Sequence, residues 1–282
     1  MTKNGVSVII NTLNEEKNIK NCLESVKWAD EILLVDMHSE DRTVEIARKY
    51  TDRILYHEKL GYVEPARIFA VENATNEWIV VIDADELVPK KLKKRIDHIV
   101  EDNLADVIKI PHNNYFFGKK MNSAGWGPLQ DKHYRVFKKD FVKLENEIHS
   151  HLEIKDNARI YEIEDPDEGF IHFNYMDFEH FVEKMNNYTT IEAKNLYNDD
   201  KDIKFKSLLK QLYNEFKSRY YNGGGRKEGF RGFSLSLLMV MYRVLIYSKL
   251  KLMREFNSEE PRKKVIEKYN QIAEEVIKEY ED

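Results

Sequence analysis

Closely spaced carboxylates follow an apolar stretch in the first third of the chain. Residues 78–82 (WIVVI) run directly into Asp83, Ala84, Asp85 and Glu86. Two carboxylates separated by one residue can present oxygen atoms to a hard divalent cation, which then binds phosphate oxygens. In a second interpretation, Asp83 and Asp85 cap the helix that Pro89 begins. The motif by itself therefore predicts either a metal site or a helix cap.

Two more apolar stretches end in polar residues. Residues 6–10 lead into 11–15 (NTLNE), and residues 31–35 lead into Asp36. In open α/β sheets ligands bind outside the carboxyl ends of the strands, where an acid can accept hydrogen bonds from a ribose or a base. Asp36 as a plain turn residue is the alternative. Because three strand ends carry polar groups, we expect one site at one edge of a sheet.

The elements that would position these residues alternate between strand and helix. Such alternation is typical of βαβ units and a mainly parallel sheet. We predict strands at 6–10, 31–36, 53–56 and 78–83, and helices at 16–26, 43–50, 66–73 and 89–101. Asn14 is the expected cap of the first helix.

The rest of the chain changes character twice. Short strands such as 107–110 and 134–137 are predicted up to about Phe173, and helices follow over 178–197, 205–221, 233–254 and 261–280. The predicted fold class is α/β, with a mixed, mainly parallel sheet flanked by helices and a C-terminal helical extension. We place the domains at 1–175 and 176–282.

Composition excludes several classes of protein. The 282 residues hold 45 Lys+Arg and 50 Asp+Glu, a net charge of −5, which argues against a nucleic-acid-binding protein. A single cysteine, Cys22, excludes an internal disulfide framework and a multi-cysteine zinc site. The apolar run at 6–10 is too short for a signal peptide, so we expect a cytoplasmic protein.

The strand-end motifs together resemble the inverting family 2 glycosyltransferases of GT-A fold, in their branch related to lipopolysaccharide-core glucosyltransferases. The resemblance rests on residues 7–16, 30–36, 41–43 and 83–86 and covers roughly residues 5–175. It implies a Rossmann-like GT-A domain, a nucleotide-diphosphate-sugar donor with UDP favoured, and a Mn²⁺ or Mg²⁺ ion. It also implies transfer with inversion to a saccharide or lipid-linked glycan acceptor.

The resemblance implies roles for residues on the donor side. Those that match nucleotide-sugar-binding positions of the family are Thr12, Asn14, Glu15, Asp36, Arg67 and Asp83. Asp83 and Asp85 match the metal motif, with Asp85 as the direct ligand. His38 departs from the pattern, because many relatives have glycine at that position.

On the acceptor side, residues 125–137 resemble the branch's Trp-x-Pro-Asp and Arg-Leu-Phe element with two extra residues. An inverting transfer needs one general base for the acceptor hydroxyl, and Asp131 is our candidate. A loop acid is the alternative for Asp131. Trp126 is a candidate to stack on a sugar ring, and a core or hinge aromatic is its alternative.

Two histidine elements also match the branch. Residues 148–151 (IHSH) resemble its Val-His-Glu element, which makes His149 a candidate acceptor-binding residue. Ser150 replaces the acid, and Glu147 or Glu153 would have to substitute for it. For His172 we favour a hydrogen-bonded structural histidine over a ligand of the pyrophosphate or the metal.

The helical extension contains an apolar stretch with basic flanks. Residues 226–254 suit a peripheral contact with the inner face of a membrane, where basic side chains meet anionic headgroups. A helix packed on its neighbours, or a homodimer interface, explains the same pattern.

Two further functions compete with sugar transfer. A sugar-phosphate nucleotidyltransferase also uses an α/β sheet and acidic metal ligands, but residues 11–17 lack a glycine-rich phosphate loop. A non-catalytic carbohydrate-binding protein on the same fold is the other alternative, and the acids at 36, 83, 85 and 131 argue against it.

Overall fold

A mixed sheet forms the centre of the first of two units, residues 1–176 and 177–282. The computed structural model describes residues 5–59, 64–143 and 153–280. The strands are β1 (Val6–Thr12), β2 (Glu31–Asp36), β3 (Ile54–Tyr56), β4 (Trp78–Asp83), β5 (Glu86–Leu87), β6 (Val107–Phe116), β7 (Lys119–Lys120), β8 (Lys132–Lys138), β9 (Val142–Lys143), β10 (Glu153–Ile154), β11 (Ile160–Glu162) and β12 (Phe170–Tyr175).

Ten of the strands in these ranges form one sheet. Its order is β3-β2-β1-β4-β8-β6-β12-β5, with β7 and β11 paired to β6, while β9 and β10 form a separate pair. Strands β1 to β4 that neighbour one another are parallel, and β8 runs antiparallel between β4 and β6. The predicted mixed, mainly parallel sheet is confirmed.

Helices cover both faces of the sheet, which is why its central strands are apolar on both sides. The helices of the first unit are α1 (Ile19–Ser25), α2 (Thr43–Ala47), α3 (Glu64–Asn73) and α4 (Lys90–Glu101). Val8 and Ile10 pack in one buried cluster with residues of α1 and α4, and Ile9 lies in the opposite cluster with residues of α3. The predicted α/β class and the flanking helices are therefore confirmed.

The strand register aligns the polar strand ends. Thr12 of β1 pairs with Asp36 of β2, and Asn11 pairs with Asp83 of β4. Parallel strands bring their carboxyl ends to the same edge, so residues more than 70 positions apart in sequence become neighbours there.

Some local predictions were wrong. Helix α1 begins at Ile19 after Asn18, and Asn14 does not cap it. Asn14 has φ +56°, and its Oδ1 accepts a hydrogen bond from the Glu40 amide at 2.8 Å. Asp83 and Asp85 do not cap α4 either, because the N-cap position of that helix is Pro89 and no side chain caps it. Strand β6 continues to Phe116, six residues past the predicted end.

The second unit is helical, as predicted for the C-terminal extension. Its helices are α5 (Phe178–Asn198), α6 (Phe205–Phe216), α7 (Phe230–Glu255) and α8 (Pro261–Lys278). Leu250 and Met253 of α7 are buried in a cluster with Ala193 of α5, so α7 packs on a neighbour along one face. Among the described helices, α7 alone is long and apolar enough to cross a membrane by length and composition.

Candidate active site

The end of β2 forms a tight acidic loop. Asp36 is fully buried, and its carboxylate accepts hydrogen bonds from the Ser39 amide at 2.8 Å and from Ser39 Oγ at 2.6 Å. His38 adopts φ +60°, a region that glycine enters without steric penalty, and its ring stacks on Tyr56. The histidine thus takes the backbone conformation that a glycine would take, and Asp36 keeps a fixed position.

The loop after β1 is held against this acidic loop. The Asn14 amide donates to Ser39 Oγ at 2.8 Å, and the Glu15 amide donates to Thr43 Oγ1 at 2.8 Å. The Glu15 carboxylate accepts from Asn18 Nδ2. The Asn14 side chain therefore contacts the acidic loop and the Glu15 side chain contacts its own loop, so both shape the edge of the site.

Unpartnered polar atoms lie at the end of β1. Asn11 and Thr12 are buried. Neither the side-chain amide of Asn11 (Nδ2 and Oδ1) nor Thr12 Oγ1 has a hydrogen-bond partner within the described residues. A buried polar group without a partner costs about 1–3 kcal/mol. A ligand that supplies the missing donors and acceptors would therefore be stabilised at this position.

Asp83 is held between two arginines. Nη2 of Arg67, from α3, donates to Oδ1 at 2.9 Å, and Nη2 of Arg135, from β8, donates to Oδ2 at 2.7 Å. Burial raises the pKa of Asp83, but the guanidinium groups of Arg135 and Arg67 outweigh it and hold the pKa well below its usual range. Both oxygens of Asp83 are thus engaged by cations.

The two arginines keep spare donors. Arg67 Nε and Arg135 Nη1 are buried and have no hydrogen-bond partner in the part of the chain that the structure describes. Guanidinium donors at such a position suit an oxyanion, because charge-assisted hydrogen bonds to phosphate are among the stronger ones. Beside the acidic motif, the donors of these two arginines can therefore bind a phosphate group.

Glu86 is the last residue of the acidic motif (83–86), and its carboxylate is buried. Its Oε2 accepts from the Asp83 amide at 2.9 Å, and its Oε1 lies 3.5 Å from Arg135 Nη2 and 3.3 Å from His112 Nε2. Burial raises the pKa of Glu86, yet Arg135 and His112 bring it down to about 2. Glu86 helps to hold Arg135 in place.

Asp85 lies next to His172 of β12. Nε2 of the histidine is 3.5 Å from Asp85 Oδ2, and Nδ1 is 2.9 Å from Asn114 Oδ1. The side chains of both residues are mostly buried, 14% exposed for Asp85 and 17% for His172. Burial lowers the pKa of His172, but Asp85 and Glu86 outweigh it and raise the pKa.

These residues suit a divalent cation in part. The described residues contain no group of three or more His, Cys, Asp or Glu arranged to hold a metal. Asp85 and His172 provide two ligand atoms, and Mg²⁺ in nucleotide enzymes is commonly bound by one or two carboxylates plus substrate phosphates. The donor set thus fits a metal that arrives with a diphosphate, and Asp83 is occupied by its arginines.

Asp131 is connected to Asp85 and His172 through the side chain of Asn114. Its Oδ2 accepts from Asn114 Nδ2 at 2.6 Å, and its Oδ1 is 2.7 Å from His133 Nε2. Burial raises the pKa of Asp131, but His133 and Asn114 lower it to about 2, so the carboxylate is ionised at neutral pH. Its side chain is 24% exposed, which leaves it accessible to a substrate hydroxyl.

Trp126 is partly exposed near Asp131. Its carbonyl accepts from Asn114 Nδ2 at 3.2 Å, and its ring lies 5.2 Å from the ring of Phe116. The contact with buried Phe116 agrees with the interpretation of Trp126 as a core or hinge aromatic. Because Trp126 is only partly buried, the other interpretation, stacking on a sugar ring, also stands. His149 lies outside the described residues, as do Glu147 and Ser150.

Three residues of this site were missed in the sequence. Arg135 and Asn114 contact the predicted acids directly, and Asn11 shares the unpartnered end of β1. The available signal was polar residues inside strand patterns, such as Asn113 and Asn114 after the predicted strand 107–110. A buried strand admits such residues only where their hydrogen bonds are used.

Comparison with known proteins identifies a family for this geometry. Residues 7–151 match the family model described as Glycosyl transferase family 2. An uncharacterized glycosyltransferase of Rickettsia typhi is 30% identical over 257 residues, covering 87% of this chain and 86% of that protein. The lipopolysaccharide core biosynthesis glycosyltransferase LpsC of Rhizobium meliloti is 25% identical over 261 residues, covering 87% and 91%.

Among solved structures, the chain is similar to S. aureus TarS 1–349 in complex with UDP. The identity is 18%, the TM-score is 0.43, and the match covers 95% of this chain and 91% of that one.

Proposed function

The chain belongs to glycosyl transferase family 2, and from that premise we propose that it moves a sugar from a UDP-sugar to a saccharide or lipid-linked glycan acceptor, with inversion. The observation that carries the proposal is the set of buried, unpartnered polar atoms at the end of β1 and on Arg67 and Arg135. They border the acidic motif, where a nucleotide diphosphate would satisfy them. Family membership favours a transferase over the nucleotidyltransferase and the non-catalytic alternatives.

The nucleoside end of the donor is proposed to lie along β1 and β2. Asn11 and Thr12 offer an amide and a hydroxyl, and Asp36 offers a buried acceptor held by Ser39. Such groups pair with the ribose hydroxyls and the edge of a base. Asn14 and Glu15 are proposed to act through the shape of the loop.

The diphosphate end is proposed to lie over Arg67, Arg135 and Asp85. Arg67 Nε and Arg135 Nη1 would donate to its oxygens, and Asp85 and His172 would hold Mn²⁺ or Mg²⁺. The cation, when bound, neutralises negative charge on the departing diphosphate. Asp83, matched by resemblance to the metal motif, is proposed to orient the two arginines.

Asp131 is proposed to act as the general base. Its ionised carboxylate takes the proton of the acceptor hydroxyl while that oxygen attacks the anomeric carbon from the face opposite the diphosphate. The new C–O bond forms as the bond to the diphosphate oxygen breaks. His133, 51% exposed and 2.7 Å away, can carry the proton to solvent.

Donor binding and turnover can be separated by experiment. UDP-, GDP- and CMP-sugars are screened for binding by calorimetry and for hydrolysis or transfer, with and without Mn²⁺. We expect UDP binding and metal-dependent turnover, with Asp85→Asn weakening Mn²⁺ binding at least tenfold. Binding of no nucleotide, together with inactivity toward all donors, overturns the proposal.

The second unit is proposed to contact an anionic membrane surface on the cytoplasmic side. Residues 204–231 carry eight Lys and Arg but only two Asp and Glu, a net charge of +6 in a chain whose total is −5. Aromatic side chains are exposed beside them: Phe205 60%, Tyr213 64%, Tyr221 55% and Phe230 62%. Basic and aromatic side chains together suit the lipid interface.

Vesicle binding tests this surface. Phosphatidylcholine vesicles with and without 30% phosphatidylglycerol are sedimented with the protein at low and high salt. The triple variant Lys206→Glu, Lys210→Glu, Lys227→Glu is compared with Lys263→Glu, Lys264→Glu, Lys268→Glu on α8. Each basic residue near a membrane surface contributes about 1 kcal/mol, so the first variant should bind about 100-fold more weakly. Equal binding by both variants, or a salt-stable dimer that binds no vesicle, contradicts the proposal.

A further inference from the structure

The fully buried side chain of Asn114 lies between the two ends of the candidate site. Its Nδ2 donates to Asp131 Oδ2 at 2.6 Å, and its Oδ1 faces His172 Nδ1 at 2.9 Å. Strands β6 and β12 pair with Asn114 opposite His172, so the contact is set by the sheet register. A continuous chain of contacts therefore runs from His133 through Asp131, Asn114 and His172 to Asp85.

The chemistry of the amide gives this chain a direction. An ionised carboxylate only accepts hydrogen bonds, so Asp131 must face the amide nitrogen of Asn114 and not its oxygen. The amide oxygen then faces His172 Nδ1, which must carry the proton. Nε2 of His172 lies on the side of Asp85, and when a cation binds there it is this nitrogen that would give up its proton and supply a lone pair, because Asn114 keeps the other proton on Nδ1.

The other group near His172 Nδ1 is a weaker candidate for this task. Glu86 Oε1 lies 3.9 Å from that nitrogen, beyond hydrogen-bond distance. The ring of His112 lies 6.4 Å from the ring of His172. Among the described residues, Asn114 is therefore the group at hydrogen-bond distance from Nδ1, and it keeps a proton on that nitrogen.

We propose that Asn114 is a positioning residue that couples the general base Asp131 to the metal-binding histidine His172. The inference rests on the proposed function and extends it, because one amide sets both the carboxylate that receives the acceptor proton and the imidazole that holds the cation. Asn114 itself contacts neither the proton that is transferred nor the metal.

Two substitutions separate the two halves of this role. Asn114→Leu removes both hydrogen bonds at similar volume. Asn114→Asp keeps an acceptor for His172 Nδ1 but puts a second carboxyl group against Asp131, and the two must share a proton because carboxylates this close cannot both ionise. Asn113 is the matched control, because it is buried on the same strand and its Nδ2 donates to Pro166 O at 2.9 Å, away from the site.

The first readout is Mn²⁺ binding in the presence of UDP, measured by electron paramagnetic resonance without turnover. We expect Asn114→Leu to weaken Mn²⁺ binding 10- to 100-fold, the effect usual for a residue that orients a metal ligand. Asn114→Asp should stay within threefold in Mn²⁺ affinity but lose at least 100-fold in kcat. Asn113→Leu should lower the melting temperature and change neither Mn²⁺ affinity nor kcat by more than threefold.

The second readout does not depend on activity. Long-range ¹H–¹⁵N spectra of ¹⁵N-histidine-labelled protein at high pH report which nitrogen of neutral His172 carries the proton. The wild type should show the Nδ1–H form, and Asn114→Leu a mixture.

The outcomes divide cleanly. Unchanged Mn²⁺ affinity and an unchanged tautomer in Asn114→Leu overturn the inference. Equal losses in Asn113→Leu and Asn114→Leu do the same, because they would mean a purely structural role. If the wild type shows the Nδ1–H form but binds neither UDP nor Mn²⁺, it is the proposed function that fails.

Discussion

Arg135 Nη2 lies 2.7 Å from Asp83 Oδ2 and 3.5 Å from Glu86 Oε1, so one guanidinium holds two carboxylates. The side chains are 13% exposed for Arg135 and 0% for Glu86. Loss of Arg135 would take the guanidinium from Glu86 and one of two guanidinium groups from Asp83. Such a loss is strongly destabilising, because removing one partner of a buried ion pair leaves an uncompensated charge.

Replacement of Arg135 should therefore make the protein easier to unfold. We expect Arg135→Met to lower the free energy of unfolding by about 3–5 kcal/mol in urea denaturation. Arg67→Met should lower it less, because the carboxylate that Arg67 pairs with among the described residues is Asp83, and Glu86 keeps its partners. A loss below about 1 kcal/mol in Arg135→Met would mean that Asp83 and Glu86 do not depend on this cation.

Thr12→Val separates ligand binding from stability. Thr12 Oγ1 has no partner among the residues described, so valine should leave the free energy of unfolding unchanged or slightly raised. UDP affinity should fall about three- to tenfold, as for one lost hydrogen bond of about 1 kcal/mol.

Thr43→Val is the matched control for this change. Thr43 is buried, and its Oγ1 accepts from the Glu15 amide and donates to Asp41 Oδ1. Loss of these bonds should lower stability by about 1–3 kcal/mol. Equal stability losses in both threonine variants would show that Thr12 has a partner in the free protein.

Asp131→Asn should reduce kcat while sparing donor binding. Loss of a general base typically lowers rates 10²- to 10⁴-fold. His133→Gln should cost less, because that side chain is half exposed and water can replace it. Steady-state kinetics with UDP calorimetry distinguish the two, and full turnover by Asp131→Asn would remove it as the base.

Acid should destabilise the first unit partly through Asp106. This buried carboxylate pairs with Lys138 and Arg159, each at 2.9 Å. The Arg159 hydrogen bond outweighs burial, and with Lys138 it holds the pKa of Asp106 well below its usual range. A depressed pKa adds stability that is complete above the unfolded value of about 3.9 and is lost as pH falls below it.

The Asp106→Asn variant isolates this contribution. Between pH 5 and pH 2 its unfolding free energy should fall less steeply than that of the wild type, and at pH 7 it should be about 3 kcal/mol less stable. Parallel curves for the two proteins would exclude Asp106 from the acid response. Urea midpoints at several pH values provide the measurement.

The sequence alone determined the sheet and the edge where the site lies. Apolar, β-branched runs bounded by polar residues indicate strands because local burial patterns are encoded residue by residue. The ends of β2 and β4 were found in this way, with Asp36, Asp83 and Asp85 at one edge, while β1 continues to Thr12, two residues past its predicted end. The family motifs lie on these same strand ends, so the family could also be recognised from the sequence.

Only the tertiary structure decided how the acids are used. Asp83 and Arg135 are 52 positions apart, and Asn114 and His172 are 58 apart, so their contacts follow from the pairing of strands and not from local spacing. The expected caps failed for the same reason: the Asn14 side chain binds the Glu40 amide, 26 positions away. A buried polar side chain takes whichever partner the sheet register brings within about 3 Å. That register is set by the packing of the whole sheet.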